Sequence, residues 1–393
     1  MIALLTLSLL IWVVLIVLWG QFWRCDQRLQ SVGISGDADT LPRIAVVMPA
    51  RNEAEVIETS VRSLLNQDYP GVLSITVVDD QSEDGTAELV TRLAESTLDH
   101  PSRSLQVMTG QPLPSGWTGK LWALEQGTQQ VIATQNPDFI WLSDADIAHA
   151  PHSLSQLVEK AQSQDLALVS LMVHLRCQSI WEKLLIPAFI FFFQKLYPFP
   201  WVNDPQRSMA AAAGGCILLK RSALQRIGGI GALREALIDD CTLAQKVKRG
   251  EGRPFTPIWL GLSEETVSLR AYNDLESIWT MVARTAYTQL NYSPALLVGT
   301  IVGMGLVYLV APVGVVYGGI TQQWALLGLG GLVWGLMTIA YAPTVKLYRL
   351  SGVWAVALPG IAFLYSLMTL DSARRHWMGK GGAWKGRVYS GAS

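Results

Sequence analysis

Apolar and polar positions divide the chain into two kinds of sequence. Residues 1–23 carry no charged side chain, residues 285–345 form a second uncharged run of 61, and residues 350–370 a third. Between them, over about 24–284, short apolar runs alternate with segments of helical spacing. Arg43–Pro49 is a β-branched run ending in proline and predicts a buried parallel strand. Glu53–Asn66 repeats apolar residues at helical spacing (Val56, Val61, Leu64, Leu65). Leu73–Asp79 predicts the second strand, Ser82–Leu98 a helix entered through a turn at Gly85, and Ser104–Met108 the third strand. Lys120–Ile132 predicts a helix and Phe139–Ser143 a fourth strand. Strand and helix alternate, so the class is α/β with a mostly parallel sheet.

The uncharged runs point to a bilayer. A crossing helix takes about 20 apolar residues, and residues 1–23 supply one, read as an uncleaved anchor. A signal peptide would instead need a basic start and a small-residue cleavage site. Arg24 and Arg28 follow the anchor, which assigns the chain from residue 24 onward to the cytosol. The run 285–345 is too long for one crossing. Turn signals at 317–323 divide it into crossings near 295–317 and 324–344, followed by Lys346 and Arg349. Val353–Leu370 is a third candidate, but a full crossing there would put the basic tail (Arg374, Arg375, Lys380, Lys385, Arg387) outside. Either this segment is re-entrant or interfacial, or the charge rule fails locally. Residues 180–202 are apolar but interrupted by charges and three prolines, and predict an interfacial helix.

Composition narrows the class further. Half of the 393 residues are hydrophobic and 16% are charged, below the roughly 25% of soluble domains. A net charge of −1 gives no electrostatic case for nucleic acid. Cys25, Cys177, Cys216 and Cys241 show no CxxC pairing, which fits a reducing cytosol and indicates neither zinc nor disulfides.

Ligands of open α/β sheets bind beyond the carboxyl ends of the strands, and polar clusters stand there: Arg51-Asn52-Glu53, Asp79-Asp80 and Asp144-Ala145-Asp146. A lone Asp after a strand is commonly a turn or cap residue. Asp144 and Asp146 are more specific. On an extended segment they point to one side, and a hard divalent cation relieves their repulsion. His149 and His152 nearby read as surface residues, with metal ligation the alternative. His174 reads as a satisfied core histidine, with an acceptor contact the alternative.

In order and spacing, MPARNE (48–53), VVDDQSEDGT (77–86), GWTGK (116–120), SDAD (143–146), AAGGCILLKR (212–221) and LIDDCTLA (237–244) resemble the family 2 glycosyltransferases of GT-A fold. GWTGKLWAL and the terminal WKGRVY are similar to the membrane-bound, lipid-glycosylating branch, and nearest in pattern to the bacterial hopene-associated enzymes. The resemblance implies that Pro49, Arg51, Asn52, Glu53, Asp79 and Asp80 hold a nucleoside, a uridine, and that Lys120 and Asp144 face its diphosphate. It implies Mg²⁺ or Mn²⁺ on Asp144 and Asp146, and Asp240 as the base that deprotonates the acceptor hydroxyl, giving inversion. Gly214 and Gly215 would let backbone approach sugar or acceptor, with Asp239 beside them. Asp239 and Asp240 read equally as caps of the next helix, and Lys120 as a solvated helix residue.

The family's processive members carry QxxRW after the base. Here the stretch reads Arg284-Thr285-Ala286-Tyr287, so Arg284 and Tyr287 stand near the Gln and Trp positions and the Arg is lost. The expected organisation is an anchor over 1–23, a cytosolic catalytic domain over 24–293, two to three crossings over 294–371 and a tail over 372–393, in a bacterial inner membrane. The expected activity is transfer of a sugar from a UDP-sugar to a membrane lipid, a hopanoid or other polyisoprenoid-type lipid. A small processive synthase, an inactive scaffold and a transporter are the alternatives. A transporter calls for polar groups within its crossings, and residues 285–345 hold no charge.

Overall fold

The structure, a computed structural model, describes residues 1–29, 40–96, 102–234, 236, 238–250, 252 and 254–379, with the backbone of two short strands at 383–384 and 387–388. Lys380 and Lys385 of the expected tail, and Leu237 of the LIDDCTLA stretch, lie outside the described residues.

The central sheet has strands β1 (Ile44–Ala50), β2 (Leu73–Asp79), β3 (Arg103–Thr109), β4 (Phe139–Ser143), β5 (Ile147–His149), β6 (Leu168–His174), β7 (Cys216–Lys220) and β8 (Ile258–Ser268). Their spatial order is β3-β2-β1-β4-β7-β6-β8-β5. The first four strands run parallel, as their apolar runs predict, and every position of β1 and β2 is buried. The second half is mixed: β7 runs antiparallel to both β4 and β6, and β5 antiparallel to β8. The sheet is therefore mostly parallel, as expected, with β7 and β5 the two strands that run against the other six; an apolar run marks a strand but not its direction, so these two reversals are not readable from it. The antiparallel register sets Ser143 opposite Cys216. Residues just after β4 and just before β7 thus meet at one edge, which brings Asp144 to Gly214 and Gly215.

Helices α2 (Ile57–Leu65) and α3 (Thr86–Glu95) begin later than their periodicity predicts. The residues before each are locked to the other: Asn52 N donates to Ser82 Oγ (3.0 Å), Glu83 N to Asn52 Oδ1 (3.0 Å), and Ala54 N to Asp84 Oδ2 (2.9 Å). These side chains offer the backbone a loop in place of a helical turn. Helix α4 (Gly119–Gln135) lies close on the sheet through Gly127, where a Cβ would fall 2.5 Å from Val47 and 2.7 Å from Val78. Helices α5 (Ser153–Ser163), α6 (Ile180–Leu196), α7 (Phe199–Val202), α8 (Arg221–Arg226), α9 (Asp239–Arg249) and α10 (Leu275–Thr285) complete the α/β part.

The N-terminal helix α1 (Ile2–Val17) has 16 residues, about 24 Å at 1.5 Å per residue. It is shorter than the expected anchor and than the hydrocarbon core of a bilayer, because Gly20 (φ +60°) and Gln21 (φ +48°) turn the chain. Three C-terminal helices are long and apolar enough to cross: Pro294–Ile320, Trp324–Leu347 and Gly352–Trp377. The first is built from α11 (Pro294–Met304), a π-helical turn (Gly305–Leu309) and α12 (Val310–Ile320). The π turn offers the Val307 carbonyl, which accepts from the Trp12 indole at 2.8 Å. Helices α13 (Trp324–Leu347) and α14 (Leu358–Trp377) follow. Segment 350–377 touches the α/β part at both ends: Arg349 lies 3.6 Å from Glu264, and Trp279 Nε1 donates to Asp371 Oδ2 at 2.9 Å.

The two faces of β1 feed different cores. Ile44, Val46 and Met48 join Trp141 and Leu157, whereas Ala45 and Val47 join a larger core that continues through Phe191 to Trp12, Tyr308 and Tyr341 among the long helices. The expected interfacial helix is the bridge. Its start carries a capping box: Ser179 Oγ accepts from Glu182 N (3.1 Å), and Glu182 Oε2 accepts from Gln178 N (2.7 Å) and Ser179 N (2.8 Å). Glu182 Oε1 accepts from Tyr272 N at 2.8 Å, tying α6 to the segment before α10. Glu182→Ala should destabilise the protein by about 3 kcal/mol, since three part-buried bonds lose their charged acceptor, read as a lowered unfolding midpoint in detergent.

Candidate active site

The chain ends of β4, β7 and β8 and the starts of α4 and α9 converge on a cleft of about 330 Å³. Lys120 enters as the second residue of α4, whose N-cap Thr118 accepts from Leu121 N at 3.4 Å. Its ammonium lies 2.7 Å from Asp144 Oδ1 and 4.0 Å from Asp239 Oδ2. Asp144 and Asp146 both line the cleft, although residues 144–146 form a turn and not the extended segment expected. Asp146 Oδ2 accepts from Arg270 Nε at 2.9 Å, and the same guanidinium reaches Glu53 Oε1 at 3.2 Å.

Asp240 Oδ2 accepts from Gly214 N at 2.9 Å and Oδ1 from Cys241 N at 2.7 Å. Asp239 Oδ1 accepts from Asp240 N at 3.1 Å. Helix α9 starts at Asp239 itself, so neither Asp is the N-cap, yet both take up amides of the first turn. The cap expected at Asp239 or Asp240 falls instead on Ile238, which leaves both carboxylates free to face the cleft. A Cβ at Gly214 would come 3.2 Å from Lys120 Nζ and 3.4 Å from Asp240 Oδ2. A side chain here would press on the Lys120 ammonium, which would have to give by a few tenths of an ångström.

The electrostatics follow from crowding. Burial, and then the Asp239 carboxylate beside it, push the Asp240 pKa up to about 6, against the pull of Lys120 and the two amides. Burial also raises Asp144, with Lys120 opposing. Burial works against the Lys120 ammonium, but Asp144, Asp239 and Asp240 outweigh it and hold the lysine protonated. Arg270 is held charged in the same way by Asp146 and Glu53.

Of the residues expected to hold nucleotide, Pro49, Glu53, Lys120 and Asp144 line the cleft, as do Asp146, Gly214, Gly215, Asp239, Asp240 and Arg284. Arg51, Asn52, Asp79 and Asp80 stand beside it in the lock between the loops after β1 and β2. Arg51 donates to the Asp80 carbonyl and lies 3.7 Å from its carboxylate. Asp79 Oδ2 accepts from Ser82 N at 3.2 Å, while its Oδ1 is buried with no hydrogen-bond partner. Tyr287 does not line the cleft. It is buried among Tyr292, His376 and Trp377, and its hydroxyl donates to Tyr292 O at 2.7 Å.

The histidines are structural. His149 is buried and not on the surface as expected: Nε2 sits 2.9 Å from Ser143 Oγ, and burial pushes its pKa down to about 3. His152 lies 2.6 Å from Glu265, and His174 stacks on Tyr348 at 4.2 Å. Arg270, which sequence reasoning missed, is the main addition. It stands just past the end of β8, and nothing in its local sequence marks it. The apolar wall of the cleft (Phe189, Phe193, Met281) was missed as well, because those residues read as helix packing.

A divalent cation fits this donor set. Asp144 and Asp146 are hard oxygen donors now neutralised by Lys120 and Arg270. Among the described residues no three His, Cys, Asp or Glu side chains form a metal site alone, so bound phosphate oxygens would have to complete the shell, as is usual for Mg²⁺.

The family model of glycosyl transferase family 21 matches residues 9–390. A Bacillus subtilis protein described as "Probable glycosyltransferase YdaM" is 34% identical over 107 residues, covering 27% of this chain and 23% of that protein. The beta-monoglucosyldiacylglycerol synthase of Synechocystis is 30% identical over 128 residues, covering 32% of this chain and 24% of that protein. The chain thus spans about a quarter of the length of these relatives. Among solved structures, the mannosyltransferase PcManGT of Pyrobaculum calidifontis, in complex with GDP-Man and Mn²⁺, superposes with a TM-score of 0.53 at 18% identity, covering 96% of this chain and 98% of that one. A likeness at that identity speaks to the fold, which is the GT-A architecture.

Arg270→Ala should free the Asp146 and Glu53 carboxylates. Calorimetric affinity for Mn²⁺ without nucleotide should then rise by up to about fivefold, the worth of a partly exposed ion pair.

Proposed function

The chain belongs to glycosyl transferase family 21, and not to the family 2 that its motifs resemble; on that premise we propose that it transfers one sugar from a nucleotide-sugar to a hydroxyl of a membrane lipid, with inversion. The observation that carries this reading is Asp240, a carboxylate with a pKa near 6 that opens into the same cleft as Lys120, Asp144 and Asp146. A base of that strength is ionised at neutral pH and still accepts a proton as one is released.

In this reading the nucleoside lies across Pro49–Glu53 and the Asp79-Asp80 turn, where the unpartnered Asp79 Oδ1 is a ready acceptor for a base or ribose donor. Lys120 and Arg270 turn from their carboxylates to the diphosphate, helped by the amide dipoles at the start of α4. Asp144 and Asp146 hold Mg²⁺ or Mn²⁺, which supplies positive charge to the departing diphosphate. The acceptor oxygen bonds to the anomeric carbon as the carbon–oxygen bond to the diphosphate breaks. Asp240 takes the hydroxyl proton, and Gly214 N steadies its other oxygen. Tyr287, buried away from the cleft, offers no ring to a growing polymer end, which favours a single transfer.

The acceptor class is a lipid alcohol. A diacylglycerol is the version carried by the Synechocystis relative's name, and a hopanoid the version implied by the motif resemblance. UDP is the expected nucleotide, with GDP the alternative that the archaeal structure introduces. We place the cleft at the cytoplasmic face of a bacterial inner membrane, with Arg24, Arg28, Lys346 and Arg349 on that side. Segment 350–377 is then re-entrant. The contacts of Arg349 and Asp371 to the α/β part support this, and the basic tail stays with the catalytic domain.

Calorimetry with UDP and GDP, with Mn²⁺ or with EDTA, tests the donor site. Metal-dependent binding in the wild type and its loss in Asp146→Ala are expected; absence of any nucleotide binding by folded protein would overturn the reading. Asp240→Asn should cut transfer by on the order of 10²-fold or more and leave nucleotide binding intact. Only the ionised Asp240 accepts a proton, so transfer should fall as pH drops through about 6. Asp239→Asn removes the like charge that raises this pKa, so the acid limb of the rate profile should move to lower pH.

A further inference from the structure

The cleft has two unlike halves. One is the carboxylate and lysine half described above. The other is walled by Phe189 and Phe193 of α6, by Met281 of α10, and by Met172 and Leu175 at the end of β6. Phe189 and Phe193 are four residues apart and Met281 and Arg284 three apart, so each pair shares one helix face. Phe189, Phe193, Leu175 and Met281 are only half-buried, whereas Leu185, Ile186, Ile190 and Phe191 of the same α6 are fully buried. Apolar side chains left open in a cleft that also holds a base define a place for an apolar ligand.

Both walls lead to the bilayer helices. Phe192 packs edge-on to Tyr308 (5.8 Å) and Tyr365 (4.9 Å), and Tyr365 Oη donates to Leu185 O at 2.9 Å. Helix α10 is fixed to α14 through Trp279 and Asp371. The apolar half therefore runs from Asp240 toward the long helices between two elements that are themselves anchored to them.

We propose that this half is the acceptor subsite, and that it takes the hydrocarbon next to the reactive hydroxyl of a single-hydroxyl lipid. This rests on the transfer reading above and adds the acceptor's shape: its hydroxyl sits on the apolar body or one short group from it. A bulky polar headgroup between hydroxyl and hydrocarbon would place polar atoms against Phe189, Phe193 and Met281, at a desolvation cost. Arg284, at the mouth, faces the region where the lipid meets water. The hydrocarbon also keeps water from Asp240 and from the anomeric carbon, which limits hydrolysis of the donor.

The test uses the full chain in phosphatidylcholine nanodiscs with UDP and Mn²⁺, and a hexadecanol probe carrying a diazirine beside its hydroxyl carbon. Illumination should place adducts on the peptides containing Phe189–Phe193 and Met281. Phe189→Asp should reduce that labelling at least about tenfold, the worth of burying one aromatic side chain. Phe189→Leu should retain it, with the UDP Kd unchanged in both variants. Adducts confined to the outer faces of α11–α14 would overturn the proposal, as would unchanged labelling in Phe189→Asp. UDP affinity reports separately on the donor site, so loss of UDP binding in the wild type would count against the transfer reading and not against the subsite.

Discussion

Among the described residues, five carboxylates line one cleft: Glu53, Asp144, Asp146, Asp239 and Asp240. Their mutual repulsion is the constraint around which the site is built. Lys120, Arg270 and Arg284 are the cations that line the same space, leaving a formal charge of −2 when every group is ionised. Lys120 and Arg270 are spent on ion pairs, and burial makes the remaining imbalance costly. The strain shows in Asp240, whose affinity for a proton is raised by burial and by Asp239. With Asp240 ionised, the deficit of two charges is what one divalent cation would offset. On the proposed reading, a site with this charge deficit would take a metal together with the diphosphate that completes its shell, and the diphosphate would in turn engage Lys120 and Arg270. The same imbalance would then organise donor binding and set the strength of the proposed base.

The first half of the sheet was legible in the sequence, because β1, β2 and β4 are buried on both faces and read as unbroken apolar runs. The helices after β1 and β2 began later than their periodicity indicates, since Asn52, Ser82, Asp84 and Thr86 spend their side chains on a lock between loops. The mixed second half was not legible, for strand direction depends on what lies between β6 and β7. The carboxylates of the cleft were legible because acidic pairs at strand ends are few and specific. Arg270 was not, since one arginine in a loop carries no pattern and acquires its role only when β8 brings it beside Asp146. The final apolar segment was half legible: its charges raised the conflict, and its contacts through Arg349 and Asp371 to the α/β part are visible only in the structure.

The placement of the base relative to the bilayer follows from continuity of packing. One face of the sheet shares its core with the long helices, and α6 is the element common to both. The Glu182 box fixes the start of α6 to the segment before α10, and α9 fixes the chain beyond the end of α6. Lys248, fully buried on α9, donates to the carbonyls of Val202, Asp204 (3.0 Å) and Met209 (2.8 Å). One helix therefore carries Asp240 at its start. Near its other end, it holds the loop that leads from α7 to Gly214, the amide partner of that same carboxylate. A buried ammonium is stable there only because three carbonyls satisfy it. Asp240, the glycine it leans on and the apolar helix α6 are thus one connected unit. On the proposed reading, the depth at which an acceptor hydroxyl would meet Asp240 is set by this packing and not by a flexible tether.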